Sequence, residues 1–301
     1  IDSDIVGVSF TTPQRFDAFE IAKQLKSKGK ILIAGGAHAS HLPTECLKNG
    51  FDIAVRGEAE GIISEIIEDI QRNSFVPIYT PEEKNIDEQL PPDRTALDIK
   101  KYSYEIGNRP ATVIMTSRSC PFFCAFCAKI SKNFRMQSAQ RTVSEIFQLH
   151  DQFGFSAFMI FDDIFIADKR RLEQIVNLIK HEDFLFRCFG RSNLLTKEVC
   201  SLLKTMGTVE VGIGIESGST EILKQNMKGT TKELNTQAVK NLQQFGIRAK
   251  AFLIVGLPGE SLEGFGRNLD KLYSLTQCEI QIGILKKLSG TTLSRHDEIY
   301  G

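Results

Sequence analysis

Between residues 111 and 285 the sequence switches six times from a short run of β-branched, aliphatic or aromatic residues to a stretch whose apolar residues recur at helical spacing. The strand-like runs cover 111–117, 157–161, 184–189, 209–215, 251–255 and 280–285, and the helical patterns centre near residues 145, 175, 201, 238 and 268. Strands joined through helices lie parallel, and a parallel sheet is covered by its own crossover helices. Six units are too few to close an eight-unit barrel. They suit an open, partial (βα)6 barrel of TIM type, whose chemistry falls at the carboxyl ends of the strands.

The first third repeats the alternation on a smaller scale. Residues 5–10 read as a strand, 17–28 as a helix and 31–34 as a second strand ending in Gly35-Gly36, while helical spacing at 43–49 and 59–72 flanks a third strand at 52–55. This predicts a Rossmann-like, doubly wound α/β sheet with ligands beyond its carboxyl strand ends. From 73 to 110 the periodicity gives way to stretches such as Pro81-Glu82-Glu83-Lys84 and Leu90-Pro91-Pro92-Asp93. The expected domains are 1–75 and 109–301, with a linker at 76–108.

Composition narrows function more than fold. Thirty-seven basic residues balance thirty-seven acidic ones, so no net field holds a polyanion and nucleic acid is not an expected partner. No apolar run reaches the roughly 18 residues of a membrane helix, and Ile1-Asp2-Ser3-Asp4 does not resemble a signal peptide. A soluble, cytoplasmic protein is the expectation. The chain does not open with Met and enters in mid-pattern, which reads as a piece of a longer protein.

Seven cysteines are too few and too unevenly spread for a disulfide framework. Cys46, Cys188, Cys200 and Cys278 stand alone in apolar or helical stretches and read as small buried hydrophobes. Cys120, Cys124 and Cys127 instead crowd into one loop after the first barrel strand, in Ser119-Cys120-Pro121-Phe122-Phe123-Cys124-Ala125-Phe126-Cys127. Three close, soft ligands suit an iron–sulfur cluster or another thiolate-rich metal site. A closed zinc site needs a fourth ligand, and the nearest downstream histidine is His150, on a predicted helix. Spacing alone leaves cluster, zinc and unliganded thiols open.

The Cys-x3-Cys-x2-Cys spacing, with Phe126 before the last cysteine, resembles the signature of radical S-adenosylmethionine (SAM) enzymes. The resemblance implies that Cys120, Cys124 and Cys127 hold a 4Fe-4S cluster and that the amino and carboxylate groups of SAM chelate its open iron. One electron then cleaves the sulfonium, and the 5'-deoxyadenosyl radical abstracts hydrogen from substrate. The likeness continues along the later strands. Asp162 and Asp163, in Phe161-Asp162-Asp163-Ile164-Phe165, stand where the cobalamin-associated branch keeps polar groups toward the methionine ammonium. Read alone, either could cap the next helix. Arg191 resembles the arginine near the SAM carboxylate, although a lone arginine is usually a solvated cation. Glu216 and Ser217, in Gly214-Ile215-Glu216-Ser217-Gly218, are implied to touch the methionine or ribose. Without the family, Glu216 would be a carboxylate paired with a basic neighbour. The backbone of Val255 and Gly256 is implied to meet the adenine, where the plain reading is a strand and a Gly-Pro-Gly turn.

In the first domain Ser9, Thr11, Gly35, Gly36, His38, Ser40, Arg56, Gly57 and Glu58 fall in segments resembling the cobalamin-binding domain of the same branch. By itself a Gly-Gly turn after a strand is a weak signal. The sequence also departs from the family. It has no Asp-x-His-x-x-Gly motif, and His38, in a different context, is expected to structure a loop or sit at the surface rather than to ligate cobalt. The usual first strand and helix of that domain are missing. The segment Lys287-Leu288-Ser289-Gly290-Thr291-Thr292-Leu293 lacks the proline of the Pro-Gly-Thr turn that many relatives carry.

The expectation is therefore an α/β protein, a truncated Rossmann-like cobalamin-binding domain followed by a partial (βα)6 radical SAM barrel. It would use a 4Fe-4S cluster, SAM and cobalamin to transfer methyl to an unactivated centre of a small-molecule or biosynthetic-intermediate substrate. Its electron donor would be a low-potential protein such as flavodoxin or ferredoxin. A cobalamin-independent radical enzyme and a cobalamin-dependent cyclase or rearrangement enzyme share the resemblance, and a zinc-stabilised binding module lies outside it.

Overall fold

The computed structural model describes residues 2–295. The chain forms two compact units. One takes the chain up to Gln89, the segment Phe126–Asn133 and the chain from Lys287 on; the other takes Leu90–Ala125 and Phe134–Lys286.

In the first unit β1 (Ile5–Ser9), α1 (Arg15–Lys26), β2 (Ile31–Gly35), α2 (Gly36–His41), α3 (Pro43–Lys48), β3 (Ile53–Val55), α4 (Ile63–Gln71) and β4 (Ile78–Tyr79) follow in order. The four strands pair in chain order, all parallel. Successive side chains of a strand point to opposite faces. Leu32 and Ala34 accordingly join Ala18, Ala22 and Leu25 of α1 and Cys46 of α3, while Ile33, Ile53 and Val55 join Ile66 and Ile70 of α4. Both faces are covered, as a parallel sheet requires. The Gly35-Gly36 turn is tighter than its sequence suggests, because Gly36 already begins α2. Its φ is +83°, and a Cβ there would stand 2.9 Å from both Phe10 N and Phe10 O, so only glycine lets α2 start against the end of β1.

The second unit continues with β5 (Glu105–Ile106), β6 (Arg109–Ile114), β7 (Ser117–Arg118), β8 (Arg135–Met136), α5 (Ala139–Phe153), β9 (Ala157–Ile160), α6 (Lys169–Ile179), β10 (Leu185–Gly190), α7 (Lys197–Thr205), β11 (Thr208–Glu216), α8 (Thr220–Gln225), α9 (Lys232–Gln244), β12 (Arg248–Val255), α10 (Leu262–Thr276) and β13 (Glu279–Ile284). Its open sheet runs β5-β6-β9-β10-β11-β12-β13. The six strands from β6 onward are parallel, and β5 closes one edge antiparallel. One face packs on the helices through Phe158, Ile160, Phe186, Cys188, Val211, Ile213, Ala251 and Leu253. The other face carries the alternate residues, among them Phe161, Phe189 and Phe252, whose rings meet edge-on or tilted at 5.7 and 5.9 Å. Ser138, Asp168, Thr196, Thr231 and Ser261 each cap the helix that follows with a side-chain acceptor, which fixes where each crossover begins.

The first expected barrel strand, 111–117, is broken. β6 stops at Ile114, and Ser117 and Arg118 pair with Met136 and Arg135 instead. The cause is local: the Thr116 and Ser117 amides donate to the Asp162 carboxylate and not to a neighbouring strand. Among the described residues no helix is long and apolar enough to cross a membrane.

Candidate functional site

The three clustered thiols lie on the loop between β7 and β8. Cys124 is buried, Cys120 half-buried and Cys127 exposed. Arg191, at the carboxyl end of β10, donates from Nη1 to Cys124 Sγ at 3.4 Å and from Nε to Asn193 Oδ1 at 3.0 Å. Its guanidinium carbon lies 3.9 Å from the Phe122 ring centroid. Arg191 is 4% exposed, so it is not the solvated cation that its isolation in sequence suggested. The four scattered cysteines are all buried, and burial pushes the Cys46 and Cys200 thiols up to about 11. They are packing groups, as expected.

At the end of β11 the chain is kinked to present a carboxylate. Glu216 has φ +67°, and the register against β12 shifts between Gly214 and Glu216. Lys228, from the loop after α8, places Nζ 2.8 Å from Glu216 Oε1, with both side chains buried. Burial raises the Glu216 pKa and the Lys228 ammonium works against it. The glycines of this strand make the arrangement possible. A Cβ on Gly214 would run into Glu216 Oε1, and one on Gly212 would stand 2.7 Å from atoms of both Phe189 and Phe252. Sequence reasoning missed Lys228. A buried carboxylate needs a cation, but nothing in the spacing says which lysine supplies it.

The paired aspartates separate. Asp162 is 1% exposed and accepts from Thr116 N and Thr116 Oγ1, both at 2.6 Å, and from Ser117 N at 3.0 Å. Asp163 is exposed. Neither caps α6, a task that Asp168 performs. Ser217 is fully buried, and its hydroxyl donates to Glu260 Oε1 at 2.7 Å while accepting from Ser219 N. Val255 O accepts from Leu285 N, and exposed Gly256 turns the chain at φ +91°. Phe126 is half-buried. His150 is committed elsewhere, its Nδ1 2.9 Å from Phe155 O.

In the first unit Ser40 joins two turns. Its hydroxyl donates to Gly36 O at 2.8 Å and accepts from Gly57 N at 3.0 Å, while Arg56 Nε donates to its carbonyl. His38 is fully buried, stacked on Phe10 with centroids 5.3 Å apart and with Nδ1 3.2 Å from Thr12 Oγ1. The surface location expected for it is therefore wrong: six helical residues opening at Gly36 turn this ring inward. Its role in structuring the loop stands. Thr11 forms a capping box with Gln14, Ser9 is exposed, and Glu58 accepts from Ser131 Oγ at 2.6 Å.

The residues suit the cofactors in chemical kind. Three thiols share one loop with a guanidinium on one of them, and Ser117 Oγ, Ser192 Oγ and Thr230 Oγ1 are buried without a hydrogen-bond partner. Gly35 and Gly57 have open space where a Cβ would stand. Among the described residues no three His, Cys, Asp or Glu side chains stand at metal-binding separations.

Comparison with known proteins decides the family. Residues 114–272 match the radical SAM superfamily. The chain belongs to this superfamily. Residues 1–67 match the B12 binding domain, so this radical SAM chain carries the domain pair of the cobalamin-associated branch. It is 31% identical over 287 residues to an uncharacterised methyltransferase of Pyrococcus horikoshii, an alignment covering 87% of this chain and 62% of the relative. It is 27% identical to the bacteriochlorophyllide d C-12(1)-methyltransferase of Chlorobaculum tepidum, over 89% of this chain and 60% of that protein. Among solved structures, the radical SAM methyltransferase TsrM of Kitasatospora setae, with cobalamin and a [4Fe-4S] cluster bound, has the same fold at a TM-score of 0.77 and 16% identity, covering 96% of this chain and 63% of that one. The chain thus spans about three fifths of the length of these relatives.

Proposed function

We propose that this radical SAM chain uses a 4Fe-4S cluster and SAM for radical chemistry, and that its reaction is cobalamin-dependent methyl transfer to an unactivated centre of a small molecule. When bound, the cluster and SAM supply reductive cleavage of the sulfonium, and cobalamin supplies a methyl carrier. Cys120, Cys124 and Cys127 hold the cluster in this reading. Arg191, fixed by Phe122 and Asn193, meets the SAM carboxylate, and the Glu216–Lys228 pair gives a rigid polar contact to the methionine or ribose. The Val255–Gly256 backbone offers the adenine an exposed edge. The protein's task is to orient the reactants and keep water from them, and the apolar inner row of Phe161, Phe189 and Phe252 serves the second need.

The observation that carries the reading is the contact of buried Arg191 with Cys124, within a region that matches the radical SAM superfamily. In the first unit Ser40 ties the Gly36 and Gly57 turns into a glycine-lined surface for cobalamin, and the methyltransferases among the relatives favour methyl transfer. A low-potential protein such as flavodoxin or ferredoxin would supply the electron. Protein produced with ample cobalamin and purified without oxygen should retain cobalamin, iron and sulfide, and deuterated methyl from labelled SAM should appear on cobalamin. Cluster-loaded protein that never takes up cobalamin would exclude the methyl-transfer half. A cobalamin-dependent cyclisation is the second reading, favoured by 27% identity over 91% of this chain to the anaerobic magnesium-protoporphyrin IX monomethyl ester cyclase of Rubrivivax gelatinosus.

A further inference from the structure

We propose that Asp162 is a positioning residue, which with Arg171 clamps the stem of the cysteine loop, and that it is not a ligand of SAM. The proposal rests on the radical SAM reading of the loop. The cysteines lie between β7 and β8, and those two short strands enter and leave the loop. Asp162 holds the entering strand through Thr116 N, Thr116 Oγ1 and Ser117 N. Arg171, on α6 and 6% exposed, holds both sides. It donates from Nε to Gln137 O at 2.6 Å and from Nη2 to Thr116 O at 3.3 Å and Thr142 Oγ1 at 2.9 Å. Gln137 N closes the stem on Thr116 O at 2.8 Å.

The Asp162 contacts take up the lone pairs that face the stem, and the carboxylate has almost no access to solvent. Burial raises the pKa of the Asp162 carboxyl, and the hydrogen bonds from Thr116 and Ser117 and the charge of Arg171 work against that rise. A loop that must place three ligands to within about 0.5 Å needs supports whose own positions are fixed. Asp162 is buried, whereas Asp163 is exposed.

Two variants, Asp162→Asn and Asp162→Ala, test this. An asparagine keeps the clamp, its amide oxygen taking the two backbone N–H groups and its NH2 donating to Thr116 Oγ1. Asp162→Asn should therefore assemble the cluster, give the wild-type electron paramagnetic resonance signal with SAM, and bind SAM within about threefold of wild type. Asp162→Ala should lose more than half of the iron and sulfide. In its apoprotein, hydrogen exchange should show the Thr116 and Ser117 amides unprotected while the other strands stay protected.

A tenfold loss of SAM affinity in Asp162→Asn with an intact cluster would overturn the proposal, as would full cluster loading in Asp162→Ala. If the wild type takes up no cluster, the radical SAM reading itself fails. The exchange measurement, which needs no cofactor, still decides whether Asp162 holds the stem.

Discussion

Lys228 Nζ stands 2.8 Å from Glu216 Oε1, and neither side chain is more than about a tenth exposed. Removing one partner of such a pair leaves the other charge buried and uncompensated, at a cost of about 3–5 kcal/mol. Lys228→Met should therefore destabilise the protein by that order in chemical denaturation. The Glu216→Gln/Lys228→Met double variant should recover a large part of the loss while still failing to bind SAM. A double variant no more stable than Lys228→Met would show that the two residues act separately.

Gly214→Ala probes the same pair without removing it. The added methyl meets the flexible ends of Glu216 and Lys228, not the backbone, so the pair should shift while the fold holds. SAM affinity should fall with little change in melting temperature. Gly212→Ala should behave in the opposite way, because its methyl meets the Phe189 and Phe252 rings and overpacking costs about 1–3 kcal/mol.

Arg191→Lys keeps the charge and discards the planar contact with Phe122 and the hydrogen bond to Cys124. Arginine and lysine are not equivalent at a stacked site. SAM should bind about 10- to 100-fold more weakly, corresponding to the 1.5–3 kcal/mol of a charged hydrogen bond, while iron and sulfide content stays at the wild-type level. Loss of the cluster instead would assign Arg191 to holding Cys124.

Burial lowers the pKa of His38 below 6.5, against the weaker pull of Glu45. The unfolded chain then binds more protons than the folded one as pH falls through 6.5, so the neutral buried ring contributes stability that is lost on acidification. Wild-type protein should lose stability relative to His38→Gln as pH drops from 7 through that range. Parallel curves for the two proteins would show that His38 does not titrate on unfolding.

Much of the fold was legible because a parallel sheet writes its period into the chain. The six barrel strands all appear, with boundaries displaced by at most a few residues except at β6. The break at β6 was not legible, because Ile114 to Ser117 keeps a strand-like composition and only the distant Asp162 draws its amides away from the ladder. The short α2 was hidden by Gly36, which reads as a turn until its close approach to Phe10 is seen. Cys124 stood out by its spacing with Cys120 and Cys127, whereas Arg191 and Glu216 stood out only by resemblance to the family's motifs. Their supports, Lys228, Arg171, Thr116 and Asn193, did not stand out, since a lysine or threonine far along the chain carries no mark of the carboxylate or guanidinium it will meet. Tertiary contact alone distinguishes Asp162 from Asp163.

The central claim is that Cys120, Cys124 and Cys127 support reductive cleavage of SAM. Anaerobically reconstituted protein given SAM and a low-potential reductant should form 5'-deoxyadenosine, and Cys124→Ala should form none. Equal product from the two proteins, or none from wild type loaded with its full complement of iron and sulfide, would contradict it.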